Sequence, residues 1–336
     1  MTQEITAILI VADDKNDLWP LESPRFPFSC IPFFGGLTLL ESAWQRLCRI
    51  TTADHIWLLC PPDACPLAAD LLPEADKEKI IPNELGTLEA LFRFSLMLRE
   101  RYAADIVLIS RAAMIAGDEE IFTQNMQNAI RLARVSDCLI VCGVPAREAR
   151  IGYDYIIAGE ARLGANPVEG RDVREFIVNA GAREAAYAMK SGNAWWNSGV
   201  YIWSNATFLA EYETHNHEFA AEPEHRESAS LEEALFPRAK NLVLFGASIV
   251  FSPLRNYEDI ARYIRGDAAH NLGAGNIVFH NSKSCLAYNT TERLLVVSGL
   301  RDTLLVQTED AVFVCPRGDE GRVREIMEEL THKRIL

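Results

Sequence analysis

Three carboxylates, Asp13, Asp14 and Asp17, crowd into the stretch directly after the apolar run ITAILIV, with Lys15 the one cation among them. ITAILIV has the continuous hydrophobicity of a strand buried on both faces, and the turn after such a strand is where an α/β domain usually rests nucleotide phosphates. That turn needs glycines, which let backbone N–H groups close on the anion, and a basic residue. Residues 12–17 here read Ala12, Asp13, Asp14, Lys15, Asn16, Asp17, with no glycine and a formal charge of −2 from three Asp and one Lys. A unit charge roughly 5 Å from a phosphate charge, at an effective dielectric near ~20, is worth ~3 kcal/mol, so the reversed sign matters. Three readings stand: solvated carboxylates closing a phosphate pocket, a divalent-ion site, since clustered carboxylates suit hard cations, or a contact with a basic partner protein.

Other reactive residue types give weaker signals. The segment HNHEFAAEPEH carries His215, His217 and His225, which read as an exposed loop or, less simply, as metal ligands; i, i+2 spacing shares a face in a strand but not in a helix. Of the eight cysteines, the nearest pairs are Cys60 with Cys65 and Cys138 with Cys142, and neither has C-x-x-C spacing. Several sit in runs such as HIWLLC and CLIVC, which predicts reduced, buried thiols. No nucleophile elbow is evident, so hydrolase chemistry has no support.

Apolar runs must hold these residues in place. ITAILIV, HIWLLC, KIIP, DIVLIS and CLIVCGV read as strands, alternating with the helical patterns LLESAWQRLCRI, CPLAADLL, TLEALFRFSLMLRERY and EEIFTQNMQNAIRLAR. This alternation predicts a mainly parallel sheet covered on both faces. TLEALFRFSLMLRERY has a broad apolar stripe that reads as core. From about residue 151 the rhythm changes: GYDYIIAG, VREFIVN and VYIW are strands around the helix GAREAAYAMKSG, as in an insertion or mixed-sheet subdomain. SLEEALFPRA and NYEDIARYI add helices around a strand pair, LVLFG and IVFS. After residue 270, short β segments with polar turns precede the helix EGRVREIMEEL.

At 336 residues, with 24% charged and 49% hydrophobic residues, the composition is that of a globular protein. A net charge of −14 argues against nucleic-acid and anionic-membrane partners, which demand a basic face. No run approaches the ~20 apolar residues needed to span a bilayer. The start MTQEITAILIV lacks a basic n-region and a cleavage site, so the expected location is cytoplasmic.

Four segments in order resemble the mannose-1-phosphate guanylyltransferase family of sugar-phosphate nucleotidyltransferases. LWPLESPRFP is similar to LWPLSR-x-x-YPK, GYDYI to GYGYI, WWNSGVYIW to the WNSG segment, and VVSGLRDTLLVQTEDAVFVCPR to the tail V-G-x-x-D-x-x-V-V-x-T-x-D-A-x-L-V. The resemblance implies a Rossmann-like, glycosyltransferase A-like mixed-sheet nucleotidyltransferase domain over residues 1–265 and a small β-helical module with a terminal helix over 266–336. It also implies a reaction: a sugar-1-phosphate oxygen attacks the α-phosphorus of GTP and pyrophosphate leaves. Such chemistry is positioning plus charge neutralisation by Mg²⁺, Lys and Arg.

The residues that this chemistry needs do not match. Against the phosphate loop G-G-x-G-T-R, Ala12 and Asp13 replace glycines, Lys15 the third glycine, Asn16 the Thr and Asp17 the Arg. Phe28 stands at the Lys of YPK, Ala112 at the metal-binding Asp after the fourth main strand, and Pro253 at the second metal carboxylate. Val178, Asn179 and Ala180 stand at Glu, Lys and Pro of F-V-E-K-P, so Asn179 replaces the Lys that reaches the sugar phosphate. Removing one transition-state charge stabiliser costs about 10² to 10³ in rate. The resemblance retains the side facing the sugar: Gly152, Tyr153 and Tyr155, and Trp196, Asn197, Ser198 and Gly199. A neutral Asn and Ser at a strand start can hydrogen-bond sugar hydroxyls, although the same types favour turns and cores. PNELGTLEA matches the region for the guanine base, with Gly86 and Thr87 either binding it or capping a helix.

The expectation is a catalytically impaired relative that binds a sugar phosphate, a nucleotide-sugar or a partner such as an active homologue. Alternatives are an active nucleotidyltransferase with Mg²⁺ on a rearranged carboxylate site, and a homo-oligomeric assembly protein using its β tail.

Overall fold

Residues Ile5–Ile10 form strand β1, and the pleat explains why the whole run is apolar: Ala7 and Leu9 enter one core while Ile8 and Ile10 enter the other. The computed structural model describes residues 5–12, 18–23, 25–34, 36–101, 106–165, 168–221, 229–247, 251–254, 256–319 and 323–333. In chain order β1 is followed by β2 (Pro32–Phe34), β3 (Leu37–Thr38), α1 (Leu39–Cys48), β4 (Ile56–Cys60), α2 (Cys65–Leu71), β5 (Ile80–Pro82) and α3 (Thr87–Arg101). Then come β6 (Ile106–Arg111), β7 (Met114–Ala116), α4 (Glu119–Arg134), β8 (Leu139–Pro145), β9 (Tyr155–Ala165), β10 (Val168–Ile177), α5 (Ala182–Lys190), β11 (Ala194–Ser204) and α6 (Asn205–Ala221). α7 (Leu231–Ala234), β12 (Leu242–Gly246), β13 (Phe251–Pro253) and α8 (Tyr257–Ala261) lead into the tail. The tail holds β14 (Leu272–Ala274), β15 (Ile277–His280), β16 (Leu286–Asn289), β17 (Leu295–Ser298), β18 (Thr303–Gln307), β19 (Val312–Pro316) and α9 (Val323–His332).

Local chemistry starts the helices where expected. Thr38 and Glu41 form a capping box on α1, with the Thr38 hydroxyl accepting from the Glu41 amide at 3.1 Å and the Glu41 carboxylate accepting from the Thr38 amide at 2.7 Å. Asp118 caps α4, its carboxylate accepting from the amides of Glu120 and Ile121.

The main sheet has nine strands in the order β5-β4-β1-β6-β11-β8-β12-β10-β9. β5, β4, β1 and β6 run parallel, β12 is parallel to β8, and the remaining pairings are antiparallel. The sheet is therefore mixed rather than mainly parallel, and the chain after residue 151 is no separate insertion. β11 lies in the middle of the sheet because both its faces are apolar: Val200 and Ile202 enter one core, Tyr201 and Trp203 the other. Among the described residues β12 joins the main sheet, while β13 pairs with β7, placing Pro253 opposite Met114.

The predicted loop around His215 and His217 is helical up to Ala221, because Phe208, Leu209 and Tyr212 give α6 a buried face. His225 lies outside the described residues, as does the side chain of His217.

In the tail, β14, β16 and β18 stack in parallel with Leu272, Leu286 and Leu304 in register, and β15 pairs in parallel with β17. Leu286, Tyr288, Leu304 and Val306 share one core with Leu18, Phe28, Leu254 and Tyr257, so the β-helical coils pack directly on the segment from Leu18 to Phe28 and on α8. Among the described residues no helix is long and apolar enough to cross a membrane.

Candidate functional site

Because β1, β4 and β6 are parallel, their C-terminal ends lie along one edge of the sheet, where a crevice site belongs. There the Ala112 amide donates to Ile10 at 2.9 Å, the Val11 amide to Leu59 at 2.9 Å, and the Ser29 hydroxyl to the Val11 carbonyl at 2.5 Å. Ala12 is half-buried. Asp13, Asp14, Lys15, Asn16 and Asp17 lie outside the described residues.

Phe28 and Ala112, where the resemblance places a lysine and a metal-binding aspartate, are both 0% exposed in hydrophobic cores. Burial of Phe28 contributes ~1.5–3 kcal/mol, and a charge in either place would be buried without water. Neither the Ala112 methyl nor the Pro253 ring carries an oxygen, so the side chains at those two positions do not fit a divalent ion. Among the described residues no group of three His, Cys, Asp or Glu side chains could hold a metal.

A buried polar chain runs beneath this edge. Arg111, at the end of β6, ion-pairs with Glu232 of α7, which is 0% exposed. The Tyr201 hydroxyl donates to the same Glu232 oxygen at 2.5 Å, and Asn197 Nδ2 donates to the Tyr201 oxygen at 2.9 Å. Asn197 Nδ2 also lies 3.4 Å from Asp154, and Asp154 accepts from the Asn179 amide at 2.8 Å. Burial, then the Glu232 charge, holds the Tyr201 phenol well above its ordinary pKa. Sequence reasoning missed Arg111, Asp154 and Glu232. The signal was present for one of them: Asp154 is the letter by which GYDYI departs from GYGYI.

Asn197 and Ser198 do not begin a strand. They sit inside β11 at a register shift opposite β8, with Gly199 at φ +76°. Asn197 Oδ1 accepts from the Gly199 amide at 3.1 Å, and the Ser198 hydroxyl donates to the Cys142 carbonyl at 2.6 Å. Both side chains are buried and turned to protein groups.

Gly152 takes φ +80°, its amide donating to Ala180 at 2.8 Å while the Ala180 amide donates to Tyr153 at 2.9 Å. This turn seats Tyr153 against Trp196, rings 5.7 Å apart, with the Arg150 guanidinium 5.1 Å from one ring and 4.6 Å from the other. Arg150 Nη1 donates to the Tyr153 hydroxyl at 2.9 Å, and the Arg150 amide donates to the Tyr155 hydroxyl at 2.6 Å. Burial, then the Asp259 charge, raises the Tyr153 pKa.

Asn179 is exposed, at φ +48°. Gly86 is buried, and Thr87 is the first residue of α3 rather than its cap; its hydroxyl is buried without a hydrogen bond among the described residues. His215 pairs with Glu211 at 3.3 Å along α6. Cys30, Cys60, Cys138, Cys142 and Cys285 are free and buried, and burial pushes the Cys142 thiol up to about 12.

Comparison with known proteins gives a consistent set of likenesses. Residues 275–330 match the MannoseP isomerase/GMP-like beta-helix domain. The chain is 24% identical to a mannose-1-phosphate guanylyltransferase of Salmonella montevideo, covering 97% of this chain and 74% of that one. It is 22% identical to the alginate biosynthesis protein AlgA of Pseudomonas fluorescens, covering 96% of this chain and 71% of that one. In structure it is similar to a mannose-1-phosphate geranyltransferase of Thermus thermophilus, with TM-score 0.79, 21% identity, and 98% and 99% of the two chains covered. A mannose-6-phosphate isomerase from Helicobacter pylori covers 74% of this chain and 99% of its own at TM-score 0.59 and 18% identity.

Proposed function

The chain belongs to the mannose-1-phosphate guanylyltransferase family of sugar-phosphate nucleotidyltransferases, and from that premise we propose that it is a non-catalytic member that binds a sugar phosphate or nucleotide-sugar. The observation that carries this reading is the burial of Phe28 and Ala112, both 0% exposed at the positions where the resemblance puts a cation and a metal ligand. Apolar packing at these positions leaves those two groups unsupplied. The buried Arg111–Glu232 pair beside Ala112 supports the same reading, because its charges satisfy each other.

The chain divides, in this reading, into a nucleotidyltransferase-like domain over residues 1–265 and a β module over 266–336, and it works in the cytoplasm. Its candidate partners are a second copy or an active homologue that it regulates. The test is GTP-dependent pyrophosphate release with mannose 1-phosphate and Mg²⁺. No turnover above background is expected at micromolar enzyme; robust turnover refutes the proposal.

A further inference from the structure

Glu148 stands in the loop between β8 and β9 with its side chain 56% exposed, yet three guanidinium nitrogens converge on its Oε1. Arg150 Nε and Nη2 each lie 2.8 Å away, and Arg262 Nη2, just past the end of α8, lies 3.6 Å away. An exposed ion pair of this kind is ordinarily weak and mobile. Here one partner is fixed. Trp196 and Tyr153 stack on the Arg150 guanidinium, and Nη1 is held by the Tyr153 hydroxyl at 2.9 Å and by Asp259, 2% exposed, at 3.5 Å.

Arg150 therefore turns its Nη1 corner inward and its Nε–Nη2 edge towards Glu148. That edge is the planar fork that matches the oxygens of carboxylates and phosphates. Arg262, 45% exposed, closes on the same oxygen from a second element. A single carboxylate oxygen facing two guanidinium groups uses less of the donor set than a tetrahedral dianion would. In a chain of net charge −14, two arginines placed together on one exposed anion form a local exception to the field.

We propose that Arg150 and Arg262 form a phosphate-binding site, that Glu148 is the intramolecular anion occupying it, and that the phosphate group of a sugar phosphate displaces Glu148. The sugar part of that ligand rests on the function proposed above; the anion site does not. Binding is an exchange of ion pairs, with the Glu148 carboxylate moving into water.

The test is calorimetric titration, supported by thermal shift, of the full chain with inorganic phosphate, mannose 1-phosphate and mannose at constant ionic strength. The proteins are wild type, Glu148→Ala and Arg262→Ala. Removing the resident carboxylate is expected to tighten inorganic phosphate about tenfold, and removing Arg262 to weaken it about tenfold. Both substitutions are at exposed side chains, so the fold survives them; Arg150→Met, with its melting temperature checked, is expected to abolish phosphate binding. Phosphate affinity unchanged by Glu148→Ala and Arg262→Ala overturns the site. Mannose 1-phosphate that binds all three proteins equally leaves the proposed function standing and also overturns the site. Phosphate binding that responds to both variants, with no gain from the sugar, supports the site and removes the sugar-phosphate reading.

Discussion

Arg111 and Glu232 form a buried ion pair that ties the end of β6 to α7, with Tyr201 of β11 donating to the same carboxylate. Glu232 is fully buried and Arg111 nearly so, so each charge leans on the other. Removing one partner strands a buried charge and costs ~3–5 kcal/mol. Glu232→Leu and Arg111→Met are each expected to lower the unfolding free energy in urea by that amount. The double variant is expected to lose much less than the sum of the two, because no charge is left stranded. Strict additivity would falsify the coupling.

Gly199 faces the same arginine. A Cβ there would lie 2.7 Å from Arg111 Cδ, and the φ of +76° disfavours any side chain. Gly199→Ala is expected to cost ~1–3 kcal/mol, combining backbone strain with overpacking. A denaturation midpoint equal to wild type would show that Arg111 can move aside.

In the tail, Gly275 meets backbone rather than side chain. Its Cβ would fall 2.0 Å from the Asn289 carbonyl oxygen, at φ +103°. Gly275→Ala cannot be relieved by a rotamer change, so the turn between β14 and β15 must shift. Faster proteolysis within residues 266–336 is the expected outcome, and an unchanged cleavage pattern would count against it.

Alkaline pH probes the buried phenols. Tyr153 and Tyr201 are held above their ordinary value by burial first, then by the charges of Asp259 and Glu232. Unfolded, they lose protons near pH ~10, while the folded chain keeps them. The unfolded state then binds fewer protons, so stability declines above about pH 10, by up to ~1.4 kcal/mol per pH unit for each phenol. Below that pH their contribution is whole. Urea denaturation from pH 8 to 10.5 is expected to show this decline, and Tyr201→Phe to make it shallower. Equal slopes would remove Tyr201 as a source.

Much of the architecture was legible in the order of residues. Continuous apolar runs such as ITAILIV and CLIVC are strands covered on both faces, because every second side chain meets a different core. The helical pattern LLESAWQRLCRI is helix α1 from Leu39, and the structure adds the Thr38 and Glu41 capping box that starts it. Charge type was legible too: Phe28, Ala112 and Pro253 cannot bind metal or phosphate through their side chains, whatever surrounds them.

Tertiary structure decided how distant residues meet. The two apolar faces of β11 suit a central strand, but local pattern carries no information about its partners, β6 and β8, which lie far from it in the chain. The turn towards protein of Asn197 and Ser198 follows from a register shift that periodicity does not encode. Glu232 is an ordinary helix residue until Arg111 and Tyr201 arrive from elements more than thirty residues away in sequence. Propensity acts between near neighbours, whereas ion pairing and aromatic stacking act through space; the chain alone specifies the first and only folding brings about the second.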